Sequence, residues 1–163
     1  MNGGDASILG GGRVSSMMRP DKRDNVRSGD KRVTIEIDHI GLSVTDFEAA
    51  KKFYTAALAP LRMAVVMEFP ASVTGDFPVA GIGADGKPIF WISGGSKTTP
   101  HIHLAFRAES RAQVDAFFAA AIAAGHKDNG GPGLREHYHP GYYGAFILDP
   151  DGHNIEAVTH KPE

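Results

Sequence analysis

The sequence predicts an α+β protein built from two tandem βαβββ modules, and three observations carry that prediction. Two windows resemble each other sixty-four residues apart, "HIGLSVTDFEAAKKFYTAAL" from His39 and "HLAFRAESRAQVDAFFAAAI" from His103. At that offset His39 aligns with His103, Leu42 with Phe106, Phe53 with Phe117, Tyr54 with Phe118 and Leu58 with Ile122. Each window then reads as a strand, a capped amphipathic helix and further strand-like pieces. Finally, "DGKPIFW" from Asp85 and "DGHNIEA" from Asp151 close the two halves at an offset of sixty-six, which makes Glu156 the counterpart of Phe90.

Taken in order, residues 1–32 form a tail with glycine runs and little apolar periodicity, unable to bury enough surface to offset its ordering entropy. Residues 33–163 form the folded domain, with module one over about 34–95 and module two over about 100–160. The first strand runs from Ile35 to Val44, and Thr45 with Glu48 predicts a capping box for a helix reaching about Ala57, with Pro60 just beyond. "RMAVVMEF", "FPVAGI" and "PIFWI" supply three more strands. The second module repeats this grammar. A strand from Ile102 to Arg107 is followed by a helix capped by Ser110 with Gln113 and ending near Ala124, before Gly125. A Gly-rich stretch near His126, "YYGAFIL" and "NIEAVTH" complete it.

Composition removes several classes of function. The 163 residues contain no cysteine, which excludes disulfides, zinc-thiolate sites, iron-sulfur clusters and a thiol nucleophile. Seven of the seventeen Lys and Arg and four of the nineteen acids lie in residues 1–32, leaving ten against fifteen in the domain. With a net charge of −2, that balance argues against a nucleic-acid partner and for a small molecule. No apolar run approaches the roughly 20 residues of a membrane span, and no continuous apolar stretch follows the basic start, so a cytoplasmic protein is expected. "GGG" at Gly10 follows no strand, "GGSKT" at Gly94 lacks phosphate-loop spacing, and no G-x-S-x-G occurs.

The last strand raises the chemical question. An unpaired buried carboxylate costs several kcal/mol or is forced neutral, yet Glu156 sits in an otherwise apolar strand. A cation would resolve this. His39 and His103 hold matching places on the first strand of each module, which a pseudo-twofold would bring close together. Two imidazoles and one carboxylate form a set suited to Fe(II), Mn(II), Co(II), Ni(II) or Zn(II) with positions left open. The alternative for each histidine is a hydrogen-bonded core residue, and repetition favours the ligand reading. His101, two residues before His103, shares its strand face and is a substitute candidate. The loop "EHYHPGYY", Glu136 to Tyr143, can offer a proton donor and substrate hydrogen bonds, with His139 and Tyr143 as the better candidates.

Taken together, "IDHIGLSVTD", "HIHLAF" and "DPDGHNIEAV" resemble the vicinal oxygen chelate superfamily, over about Thr34 to His160. Its members include glyoxalase I, extradiol dioxygenases, fosfomycin-resistance thiol transferases and bleomycin-resistance proteins. The resemblance implies paired βαβββ modules forming a curled mixed sheet around a metal-binding cavity, with the metal on His39, His103 and Glu156. It also implies a divalent ion that binds two adjacent substrate oxygens as a Lewis acid, and a homodimer, with the site built within one chain or across two. Two departures bear on the reaction. Glyoxalase I has a carboxylate where the repeat register here puts Phe90, and extradiol dioxygenases have a tyrosine where this chain has Phe146. His139 stands near the loop histidine of the dioxygenases. Lys97, Arg107 and Arg135 are the cations available for a substrate anion, without an obvious cluster. The expected function is therefore a metal-dependent enzyme, dioxygenase-like or lyase- or transferase-like. The alternative is a protein that sequesters a small molecule without chemistry, as bleomycin-resistance proteins do.

Overall fold

Local sequence dictates two helices strong enough to anchor the modules, and strand patterns that bury one face each. The structure is a computed structural model describing residues 36–162; the tail assigned to residues 1–32 lies outside them. The first module comprises β1 (Ile40–Ser43), α1 (Phe47–Leu58), β2 (Ala64–Phe69), the short α2 (Ala71–Thr74), β3 (Val79–Ala84) and β4 (Lys87–Ser93). The second comprises β5 (His103–Arg107), α3 (Arg111–Ala123), β6 (Lys127–Leu134), β7 (Tyr143–Leu148) and β8 (Asn154–Thr159). The two sheets have matching orders, β1-β4-β3-β2 and β5-β8-β7-β6, and no ladder crosses from one to the other. In each, the first strand runs parallel to the last, as a βαβββ unit requires.

Both helices lie between the sheets, α1 against β2 and β4, α3 against β6, β7 and β8, and the two helices touch. Phe53, Tyr54, Phe90 and Phe117 are fully buried in one continuous core, each contributing about 1.5–3 kcal/mol through the apolar area removed from water. Across the module boundary the Phe90 and Phe106 rings meet at 5.6 Å, and the Tyr54 hydroxyl donates to Asp149 at 2.7 Å. Asp149 also accepts the backbone N–H groups of Asp151 and His153, which fixes the β7–β8 turn. Among the described residues, no helix is long and apolar enough to cross a membrane.

Three details differ from expectation. The N-cap of α1 is Asp46, which accepts from Ala49 N–H at 3.0 Å, because Thr45 is held outside the helix by its own N–H bond to Asp151. Ser110 does cap α3 by accepting from Gln113 N–H, while the Gln113 side chain reaches back to Glu109 N–H. β1 is also shorter than predicted, its ladder to β4 starting only at Ile40 opposite Phe90.

The third difference changes the repeat register. Ile40 pairs with Phe90, whereas its repeat equivalent Leu104 pairs with Ile155. The counterpart of Glu156 is therefore Trp91, not Phe90. A slip of one residue exchanges the faces of a strand, and the two residues face accordingly. Phe90 points into the core against Tyr54, while Trp91 and Glu156 point away from the helices. The earlier inference that module one lacks a carboxylate at this place still holds, with Trp91 as the occupant.

Candidate functional site

Alternation along β5, β7 and β8 sends Ala145, Ile147, Ile155 and Ala157 into the core, and leaves His103, Tyr142, Phe146, Asn154 and Glu156 on the face remote from the helices. There the Glu156 side chain is 0% exposed and His103 is 52% exposed, with His103 Nε2 to Glu156 Oε2 at 2.8 Å. The Tyr142 hydroxyl donates to the other oxygen, Oε1. Gly144 makes room for the carboxylate, since a Cβ there would lie 2.8 Å from Oε1. Burial, and then the bond to Glu156, hold the Tyr142 hydroxyl above the ordinary tyrosine range, so it stays protonated at neutral pH.

This pair fits a metal ion on chemical grounds. His103 and Glu156 are an imidazole and a carboxylate with bonding atoms 2.8 Å apart. A cation between them would neutralise a carboxylate that is otherwise buried. Two ligands are not a complete site. Among the described residues no group of three His, Asp or Glu gathers to hold a metal.

His39 lies elsewhere. It precedes β1 on the side opposite the buried Leu42, is 61% exposed, and bonds Asp38 at 2.9 Å, which in turn pairs with Lys87 at 3.1 Å. Those two partners hold the Asp38 carboxyl below its usual range, His39 contributing first. The structure thus brings His103 and Glu156 together and leaves His39 on the first sheet. His101 packs against His153 over the β7–β8 turn, with ring centroids 5.7 Å apart, rather than beside Glu156.

The loop separates into two sides. Tyr143 points to the helix face, where its hydroxyl donates to Asp115 at 2.7 Å and its ring carries Arg111 at 5.0 Å. Tyr142, one residue earlier, is the tyrosine beside Glu156, whereas the Tyr143 singled out in the sequence lies on the other side of the strand. The Gly144 that shares the face of Tyr142 was the available signal, because a side chain there would meet the Glu156 carboxylate. His139 donates from Nδ1 to Pro140 O at 3.0 Å, and its ring meets Tyr142 at 5.1 Å and His160 at 4.8 Å. It reaches Glu156 only through Tyr142.

Fold and site together define a protein of paired βαβββ modules in which a buried glutamate, Glu156, is paired with the half-exposed His103 on one sheet face. The model of the Glyoxalase/Bleomycin resistance protein/Dioxygenase superfamily matches residues 36–157, and the chain belongs to that superfamily. A glyoxalase/bleomycin resistance protein from Albidiferax ferrireducens T118 is 31% identical, with TM-score 0.58, covering 76% of this chain and 97% of its own. A glyoxalase I mutant from Zea mays shares the fold at 19% identity and TM-score 0.60, over 78% of this chain and 45% of that one. FosX, a fosfomycin resistance protein from Listeria monocytogenes, does so at 18% identity and TM-score 0.57, over 76% and 91%. No curated protein matches the chain.

Proposed function

We propose that the chain is a divalent-metal-dependent enzyme acting on a small substrate with vicinal oxygens. Each metal centre takes His103 and Glu156 from one copy of the chain and completes its ligand set with the partner subunit's His39. The observation that carries this reading is the fully buried Glu156, joined to half-exposed His103 and to Tyr142 on the sheet face remote from the helices. His39 holds the equivalent strand position in module one. On that same face the first sheet presents Met67, Phe69 and Ile89, each about two-fifths exposed. Laying the first sheet of one copy over the second sheet of another would bring the three ligands together and remove those side chains from water, and a twofold axis would create two equal sites.

A divalent ion held there supplies Lewis acidity to two adjacent substrate oxygens. The residues do the rest. His103 would hold the ion through Nε2, the atom that bonds Glu156. Tyr142 remains protonated and donates to the carboxylate, which orients it, or to a substrate oxygen as charge develops. His139, stacked on Tyr142, is a positioning residue in this reading, and Tyr143 anchors β7 to α3. The FosX neighbour was solved with Mn(II) and 1S,2S-dihydroxypropylphosphonic acid, the kind of ligand pair this reading expects.

Elemental mass spectrometry of anaerobically purified protein tests it. Wild type should carry near-stoichiometric divalent metal, which His39→Ala, His103→Ala and Glu156→Gln each lose. Full retention in Glu156→Gln overturns the assignment. Absence from every sample after reloading would instead favour a protein that binds a small molecule without chemistry.

A further inference from the structure

Beside the His103–Glu156 pair lies a cavity of about 310 Å³ whose lining includes His103, Asn129, Asn154, Arg135, Tyr138 and Phe146. Of the three cations singled out in the sequence, only Arg135 lines it. Its guanidinium lies against the Phe146 ring, 5.5 Å from the centroid. It donates from Nη2 to Gly131 O at 2.6 Å and from Nη1 to Leu134 O at 3.3 Å. Among the described residues no carboxylate pairs with it.

A guanidinium has five N–H donors in a planar fork, so three remain after those two bonds. The glycines of β6 explain how it lies there. A Cβ on Gly133 would come within 2.9 Å of Nη1, so a side chain at that position would displace the guanidinium from the strand. This gives a physical reason for the Gly-rich stretch "NGGPG". Asn129 donates its side-chain amide to Asn154 Oδ1 at 2.9 Å, which leaves the Asn154 amide free to donate toward the same space. Fixed cationic and neutral donors with no internal anion, next to a metal-ligating pair, make an oxyanion receptor.

We propose that this cavity receives an oxyanion group of the substrate, a carboxylate or a phosphate. Arg135 is its charged partner, and the amides of Asn129 and Asn154 add neutral hydrogen bonds. The inference rests on the reading of His103 and Glu156 as the reaction centre, and it narrows the substrate to a small anionic molecule. The anion on Arg135 and the oxygens at His103 would then fix the substrate at two points.

The test uses metal-free full-length protein labelled with ¹⁵N and titrated with inorganic phosphate or acetate, against chloride at equal ionic strength. One oxyanion should shift the Asn129 and Asn154 side-chain amides and Arg135 Nε–H beyond the chloride response. Phosphate acting alone would assign the phosphate class, and acetate alone the carboxylate class. Arg135→Ala should weaken that binding by at least about tenfold, roughly the worth of one charge-assisted bond. Asn154→Asp, which keeps an acceptor for Asn129 but adds a negative charge, should weaken it by a similar factor without touching Arg135. Responses equal to chloride, or unchanged in both variants, overturn the proposal. Calorimetric Zn²⁺ titration of wild type and Arg135→Ala separates the two readings. Metal binding with no anion response sinks this cavity assignment alone, and anion response with no metal binding sinks the metal centre alone.

Discussion

The two modules share strand order and helix placement, yet their open faces differ in kind. Module one presents Gly41, Met67, Ile89 and Trp91, an apolar surface with His39 at its edge. Module two presents a buried carboxylate held by an imidazole and a phenol, with an arginine beside it. The fold therefore repeats while the chemistry does not. Strand position decides where a side chain can stand, and the residue type there decides whether the face covers a site or forms one.

Breaking the chemical face should have the largest effect. Glu156→Gln removes the negative charge that a cation requires, so metal affinity should fall by more than about 100-fold in calorimetric titration, beyond the 10–100-fold typical of residues that only orient a ligand. Trp91→Phe, the matching position in module one, should leave metal affinity of the assembled protein within about threefold. Next come the paired tyrosines. Tyr142→Phe leaves a buried carboxylate oxygen short of a donor and should cost about 1–3 kcal/mol in urea unfolding and about tenfold in metal affinity. Tyr143→Phe should cost about 0.5–1.5 kcal/mol and leave metal affinity unchanged.

Alkaline pH sharpens the comparison through the link between modules. Tyr54 is raised above the ordinary tyrosine value of about 10, by burial first and then by Asp149. A raised folded-state pKa contributes stability that is intact below the unfolded value and is lost as pH climbs above it. Thermal melts should therefore fall progressively above about pH 10, and Tyr54→Phe should flatten that decline while lowering stability at pH 7. A decline of equal steepness in the variant would contradict the assignment. The smallest effect concerns the caps. Asp46→Ala should cost about 1 kcal/mol, and Thr45→Ala only a few tenths, since the Thr45 side chain caps nothing.

Much of this was legible in the residues. The repeat gave the two βαβββ units, the capping pattern gave Ser110, and a carboxylate in an apolar strand marked the place where Glu156 meets His103. The β4–β8 register was misread by one residue, since aligning the two Asp-Gly pairs ignored how the β3–β4 and β7–β8 turns differ in length. That Tyr142 rather than Tyr143 stands beside Glu156 was not legible, because "YYGAFIL" is apolar on both faces and alternation could not tell which tyrosine faces the core. The separation of His39 from its expected partners depends on how modules pack, and local pattern does not encode that.

Subunit complementation tests the central claim most directly. His39→Ala and Glu156→Gln chains, each unable to hold metal alone, would be mixed under conditions that exchange subunits, and bound metal would be counted. A site shared between copies predicts recovery, because the mixed dimer pairs an intact His39 from one chain with an intact His103 and Glu156 from the other. No recovery in demonstrated mixed dimers would contradict it and remove His39 from the ligand set.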